Sequence, residues 1–176
     1  EVKKVTIPLH EISNTIPCEF FQPDFLNGDS NYHSLSSASD GKLYFSIDTH
    51  NQDYACGFYS FDPATEEMKL IAHLDKPFGE DAQKGISHGK VHVPFFEYEG
   101  KLYFSTHLSY YEGGLPGFDT EKPLYKGGIF ASYDLESGAF ENLARIIPNE
   151  GLITMTMDKE NQMLYGLSWP SALLVS

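Results

Sequence analysis

Glu99-Gly-Lys-Leu-Tyr-Phe-Ser-Thr-His107 decides the fold, because the same phrase occurs earlier as Asp40-Gly-Lys-Leu-Tyr-Phe-Ser46 and returns in altered form as Asn161-Gln-Met-Leu-Tyr-Gly-Leu-Ser168. Aligning Tyr44, Tyr103 and Tyr165 gives steps of 59 and 62 residues, and self-similarity at such a period marks stacked supersecondary units. The first two phrases open on a hairpin turn pair, Asp40-Gly41 and Glu99-Gly100, and run into aromatic and β-branched residues that suit a strand.

The residues around each phrase complete a unit. In the first, residues 33–39 form a small-residue alternating strand, 42–48 a second, 57–61 a third and 68–74 a fourth, with a turn opened by Asp62-Pro63 before the last. The second unit repeats this as 91–98, 101–107, 128–133 and 140–146. A third runs through 152–157 and 163–168 and reaches 173–176 in its third strand, so that Ser60, Ser132 and Ser176 share one repeat position. Residues 2–9 read as a strand that could be the outer strand of a neighbouring unit, followed by irregular connection punctuated by Pro17, Pro23 and Asn27-Gly28. The chain therefore divides into residues 1–31, then units over 32–76 and 91–147 and a partial unit over 151–176. No segment shows a helical apolar period, and the expected class is all-β.

Four-stranded antiparallel units too thin to bury their own faces are stable when packed side by side around an axis, which predicts a β-propeller, here with about two and three-quarter blades. Leu-Tyr-Phe-Ser at 43–46 and 102–105, followed by Phe58-Tyr-Ser-Phe-Asp-Pro-Ala-Thr-Glu66, resembles the second and third strands of kelch-like and quinoprotein-like β-propeller repeats over residues 32–176. The pattern departs from those repeats in lacking Gly-Gly at the end of the second strand, a tryptophan in the fourth, and a Trp-Asp pair. A β-sandwich of about eleven strands would satisfy the turn spacing but leaves the recurrence of whole four-strand phrases unexplained. Further blades are expected from the rest of the natural chain or from other subunits.

The net charge of −13 rests on 25 acidic against 12 basic residues, with Arg145 the one arginine, which argues against a nucleic-acid partner. No apolar run is long enough for membrane insertion. The start at Glu1 rather than Met fits a removed signal and leans the compartment toward secreted or periplasmic. Two cysteines, Cys18 and Cys56, make no disulfide framework and lack metal-ligand spacing.

In a propeller the connections entering the first strand share one face with those leaving the second. His33 and His92 each lie eight residues before their turn glycines, so both fall at the entrance of an innermost strand; His50 and His107 end second strands on the same face, and Trp169 aligns with His107. His88 adds a fifth histidine in the entering loop. The loop over 108–126, 13 residues longer than its first-unit counterpart, brings Tyr110 and Tyr111 to the same mouth among glycines. Histidine there can act as general base, general acid or metal ligand. A divalent metal is the cofactor such a set would suit, with His33, His92 and His107 from different units as ligands. The pair His88 and His92 would stand about 13 Å apart along an extended strand, too far to chelate together.

The expected function is a small-molecule or glycan ligand bound at a His/Tyr-lined mouth, with His33, His50, His88, Tyr111 and Trp169 as binding residues. A weaker similarity to propeller polysaccharide lyases implies His92 or His107 as base and Tyr110 as acid. The alternative to both is a non-catalytic protein-interaction scaffold, since fold does not fix function.

Overall fold

A computed structural model of the chain describes residues 4–6, 18–109 and 124–176. The first sheet is an antiparallel meander of β3 (Leu35–Ser37), β4 (Leu43–Ile47), β5 (Gly57–Asp62) and β6 (Glu67–His73). The second repeats that order with β8 (Phe96–Tyr98), β9 (Lys101–Ser105), β11 (Ile129–Asp134) and β12 (Phe140–Arg145). The third holds β13 (Gly151–Asp158), β14 (Met163–Trp169) and β15 (Leu174–Val175). Two short ladders complete the set: β1 (Lys4–Thr6) with β2 (Glu19–Phe21), and β7 (His88–Lys90) with β10 (His107–Leu108). The class is all-β, with antiparallel sheets of three and four strands, none of which closes on itself; the arrangement is compatible with a propeller-like fold. No helix among the described residues is long and apolar enough to cross a membrane.

The two four-stranded sheets agree in register as well as order. Tyr44 sits opposite Ser60 in the first and Tyr103 opposite Ser132 in the second. Each outer hairpin carries a register shift at the same place, between Phe58 and Tyr59 and between Phe130 and Ala131. Asp62 and Asp134 open the following turns in the same way, their Oδ1 atoms accepting the amides two residues on, of Ala64 (2.8 Å) and of Glu136 (3.1 Å). The inner turns differ. The first closes through Ser39-Asp40-Gly41, with only Gly41 at positive φ (83°) and Ala38 N–H bonded to Lys42 O at 2.9 Å. The second closes through Glu99-Gly100 alone, both at positive φ (48° and 73°), as a two-residue hairpin matched to strand twist requires.

Two sequence expectations are corrected. The strand expected over 91–98 is broken: the pairing of β7 with β10 gives way to β8 with β9 across residues 91–95. Pro94 has no amide to place in a ladder, and the amides of Val91 and Phe95 donate instead to side chains of the first sheet's unit, Asp48 Oδ1 at 3.1 Å and Ser36 Oγ at 2.9 Å. The stretch expected to be irregular after the first strand contains β2, which pairs with β1. β2 and the segment after it cover the outer side of the first sheet, with Phe21 on Phe61 (ring centroids 4.6 Å) and Phe25 on His73 (4.7 Å).

One apolar core threads the sheets. Phe58 is fully buried and meets Phe95, Phe104, Tyr133 and Phe140 of the second sheet's unit at centroid distances of 5.1, 5.6, 5.1 and 5.3 Å. Phe130, Leu152 and Met155 carry the same cluster into the third. Cys56 is buried in this core and, like Cys18, is a free thiol.

Phe58→Ala should cost about 3–5 kcal/mol in equilibrium urea denaturation, the range for emptying an aromatic core position, whereas a loss under about 1 kcal/mol would show that the sheets do not depend on this contact.

Candidate functional site

Backbone bonds bring loops of three sheets to one end of the molecule. Asp48 N–H donates to Ser30 O (2.7 Å) and Asp29 N–H to Asp48 O (3.0 Å), a bridge that pins residues 29–32 beside 48–50. Thr49 N–H donates to Gly89 O and Cys56 N–H to His88 O, each at 2.9 Å, tying β7 to the first sheet. Leu152 N–H reaches Thr106 O at 3.0 Å, tying β13 to the second.

These anchors line up a row of rings. The Asp29 carboxylate accepts from His50 Nδ1 at 3.0 Å, and His50 Nε2 accepts from the Tyr32 hydroxyl at 3.0 Å, the tautomer following from these partners. Tyr32 stacks on His92, with centroids 4.2 Å apart and planes 12° from parallel. His92 meets His107 edge-on at 4.8 Å, and His107 meets Trp169 edge-on at 6.0 Å. His107 fits only because residue 151 is glycine: a Cβ there would stand 2.0 Å from its Nδ1. The row Asp29–His50–Tyr32–His92–His107–Trp169 thus crosses from the first sheet's loops to the third sheet.

Beneath it lie a buried carboxyl, Asp48, and a buried lysine, Lys90. The Asp48 side chain is fully buried, with Oδ1 accepting from Ser46 Oγ (2.5 Å) and Val91 N–H while Oδ2 has no hydrogen-bond partner in the protein. Burial pushes its carboxyl up to about 7, against the pull of Ser46, the Val91 amide and Lys90. Lys90 is 6% exposed, with its ammonium 5.5 Å from the centre of the Tyr32 ring. Its own burial lowers its proton affinity, while Asp48 and Asp29 oppose that. Burial, then the charges of Lys90, His33 and His50, holds the His92 imidazole down at about 4; its buried Nε2 has no hydrogen-bond partner in the protein. Burial next to His92 and Lys90 keeps His107 neutral as well. At neutral pH His92 and His107 are therefore neutral imidazoles.

The sequence-predicted residues divide clearly. His50, His92, His107 and Trp169 come together, and His33 is exposed and close enough for its charge to lower His92. Tyr110 and Tyr111 lie outside the described residues. His88 does not face this row. It is fully buried in β7, its Nδ1 2.7 Å from the Tyr125 hydroxyl and 2.9 Å from Thr106 Oγ1, and its Nε2 3.5 Å from Glu80. Burial would raise the Glu80 carboxyl, but His88 and the Arg145 guanidinium at 2.7 Å outweigh it and hold the group at about 2, while burial disfavours charge on His88. This second network joins the loop at residue 80 to the second sheet. Among the described residues, no group of three or more His, Cys, Asp or Glu side chains is placed to hold a metal ion, His33, His92 and His107 included.

Sequence reading missed Tyr32, Asp29, Asp48 and Lys90. Asp48 had a signal: it follows Tyr44 and Ser46 at alternate positions, so all three share the inward face of one strand. Lys90 had none, since a lysine between glycine and valine reads as surface. A separate apolar groove of about 530 Å³ opens between the second and third sheets, lined by Tyr98, Tyr103, Phe130, Leu143, Met157 and Leu164, and it contains none of the histidines. Comparison with protein-family models, with curated proteins and with solved structures gave no match.

Buried Asp48 and half-buried His92 give opposite pH slopes. Asp48 stays protonated in the native state up to about pH 7, so its contribution is present below its ordinary value near 4 and lost as pH rises through 7. His92 stays neutral down to about pH 4, so its contribution is present above its ordinary 6.5 and lost as pH falls toward 4. In denaturation midpoints across that window, Asp48→Asn should tilt the stability profile toward higher pH and His92→Gln toward lower pH, and two unchanged profiles would contradict the placement of both groups.

Proposed function

We propose that the three sheets are successive blades of a β-propeller and that its mouth binds a sugar or another small polar ring. The blade reading is supported by the shared order and register of the first two sheets and by the aromatic core that carries one sheet onto the next. The ligand reading is carried by one observation: Tyr32, His92, His107 and Trp169 form an unbroken row of rings contributed from three sheets. Aromatic faces suit the apolar faces of sugars, and polar groups at the edge of the row fix orientation, here the exposed Tyr32 hydroxyl and Asp29 carboxylate.

A second reading, a carbohydrate-active enzyme of the lyase type, is favoured by the hydrogen-bonded series Asp29–His50–Tyr32 set against His92. In it Tyr32 transfers a proton under the control of His50, a neutral His92 or His107 serves as base, and Lys90 neutralises a substrate carboxylate. A protein-interaction scaffold would need none of these groups.

Calorimetric titration with neutral and uronate-containing oligosaccharides tests the reading. Tyr32→Ala and Trp169→Ala should each weaken binding by about tenfold or more, roughly 1.4 kcal/mol, while Tyr98→Ala in the separate groove leaves it unchanged. Heat-silent titrations across both glycan classes would remove the sugar reading. If an unsaturated product absorbing in the near ultraviolet appears, Tyr32→Phe and His92→Ala should abolish turnover with the fold intact, and unchanged turnover in Tyr32→Phe would remove the lyase role assigned to its hydroxyl.

A further inference from the structure

The two rings at the centre of the row, Tyr32 and His92, come from segments that share one anchor, the carboxyl of Asp48. On the Tyr32 side a chain of side chains runs to it. Asn31 Nδ2 donates to Ser34 Oγ at 2.8 Å, Ser34 Oγ lies 2.5 Å from Ser46 Oγ, and Ser46 Oγ donates to Asp48 Oδ1 at 2.5 Å. Ser34, Ser46 and Asp48 are all fully buried. Each serine has one hydroxyl proton; with that of Ser46 given to Asp48, that of Ser34 goes to Ser46, so every donor in the chain points toward the carboxyl. Asn31 Nδ2 also reaches Ser46 O at 2.7 Å, and the bridge between Ser30 and Asp48 holds the same segment through its backbone. On the His92 side, the Val91 amide donates to the same Oδ1 at 3.1 Å. One oxygen thus takes a bond from the segment behind each ring of the Tyr32–His92 stack, whose centroids are 4.2 Å apart.

The other oxygen, Oδ2, is buried without a hydrogen-bond partner in the protein, which makes it the place for a proton. The titratable groups close enough to feel the charge on Asp48 are Lys90 from β7, the Tyr32 hydroxyl and the Cys56 thiol. Asp29 acts in turn on Lys90 and Tyr32, while Lys90, His33 and His50 act on His92. Hydrogen bonds to an ionised carboxylate are roughly twice as strong as neutral ones, so the two bonds at Oδ1 tighten when the proton leaves Oδ2.

We propose that Asp48 is the positioning residue of the mouth: its ionised carboxylate locks Tyr32 over His92, and its protonation loosens that stack and weakens ligand binding. The effect on the ligand rests on the reading of the mouth as a binding site, whereas the effect on the stack does not.

Nuclear magnetic resonance of the Tyr32 and His92 ring protons across the neutral pH range tests it. His92 stays neutral down to about pH 4, so its shifts there report its surroundings rather than its own proton. Burial pushes Asp48 up to about 7, so both rings should move together in one transition near that pH, with the Tyr32–His92 cross-peak strongest above it. In Asp48→Asn, whose side-chain oxygen can still accept from Ser46 and Val91, the transition should vanish at both rings. In Ser34→Ala, which cuts the chain without touching Asp48, it should persist at His92 and be lost at Tyr32; this variant and the wild-type profile decide the matter should Asp48→Asn fail to fold. A neutral oligosaccharide that binds in calorimetric titration should bind severalfold more tightly above the transition than below it, and equally well at both in Asp48→Asn. Failure of every oligosaccharide to bind would remove the ligand reading alone, and an affinity indifferent to pH while the rings move would overturn the coupling. The positioning role is overturned by wild-type shifts that stay flat, by a transition that persists in Asp48→Asn and so belongs to His33 or His50, or by a Ser34→Ala profile identical to that of the wild type.

Discussion

The enclosure of Phe58 by Phe95, Phe104, Tyr133 and Phe140 fixes how the second sheet sits on the first, and the geometry of the histidine end follows from it. With that contact in place, residues 91–95 pass close enough to the first sheet for Asp48 and Ser36 to accept amides that a regular ladder would have used. A strand bonded to its neighbour's side chains cannot slide along it. His92 is thereby held under Tyr32, and β10, paired with β7, carries His107 to the same depth.

The cost of this arrangement is electrostatic. A carboxylate and an ammonium taken out of water are expensive unless paired and hydrogen-bonded, and Asp48 has only half of its acceptor capacity used by the protein. Burial raises its proton affinity, and the bonds from Ser46 and Val91 offset only part of that. The buried network of His88, Glu80, Arg145 and Tyr125 makes a useful contrast. There the guanidinium donates to both Glu80 and Gly127 O, the imidazole Nδ1 lies within hydrogen-bond distance of the Tyr125 and Thr106 hydroxyls, and the carboxylate is held ionised. Each network keeps buried atoms without a hydrogen-bond partner in the protein, Asp48 Oδ2 and His92 Nε2 in the first and His88 Nε2, 3.5 Å from the Glu80 carboxylate, in the second.

Repetition made the sheets legible in the sequence. Tyr44 and Tyr103, each within the phrase Leu-Tyr-Phe-Ser, occupy matched positions opposite Ser60 and Ser132. The same alignment brought His50, His92, His107 and Trp169 to one end, because repeat position sets which end of a strand a residue occupies. It failed for His88, whose side of the strand depends on the irregular course between β7 and β8 and on a buried Tyr125 that arrives from a distant loop. Tyr32 and Asp29 were hidden for a related reason: they lie in a segment without periodicity and are placed by backbone bonds to residue 48, which no local pattern announces. The pairing of β2 with β1 was likewise masked by the prolines and glycine around it.

The central claim is that rings from three sheets form one continuous mouth, and proton Overhauser spectroscopy of the aromatic side chains tests it most directly. The account predicts cross-peaks linking Tyr32 to His92, His92 to His107, and His107 to Trp169, the chain's single tryptophan, with His92 and His107 remaining neutral well below the ordinary histidine range. Absence of the His107–Trp169 cross-peak, with both imidazoles titrating near about 6.5 as exposed rings do, would contradict it.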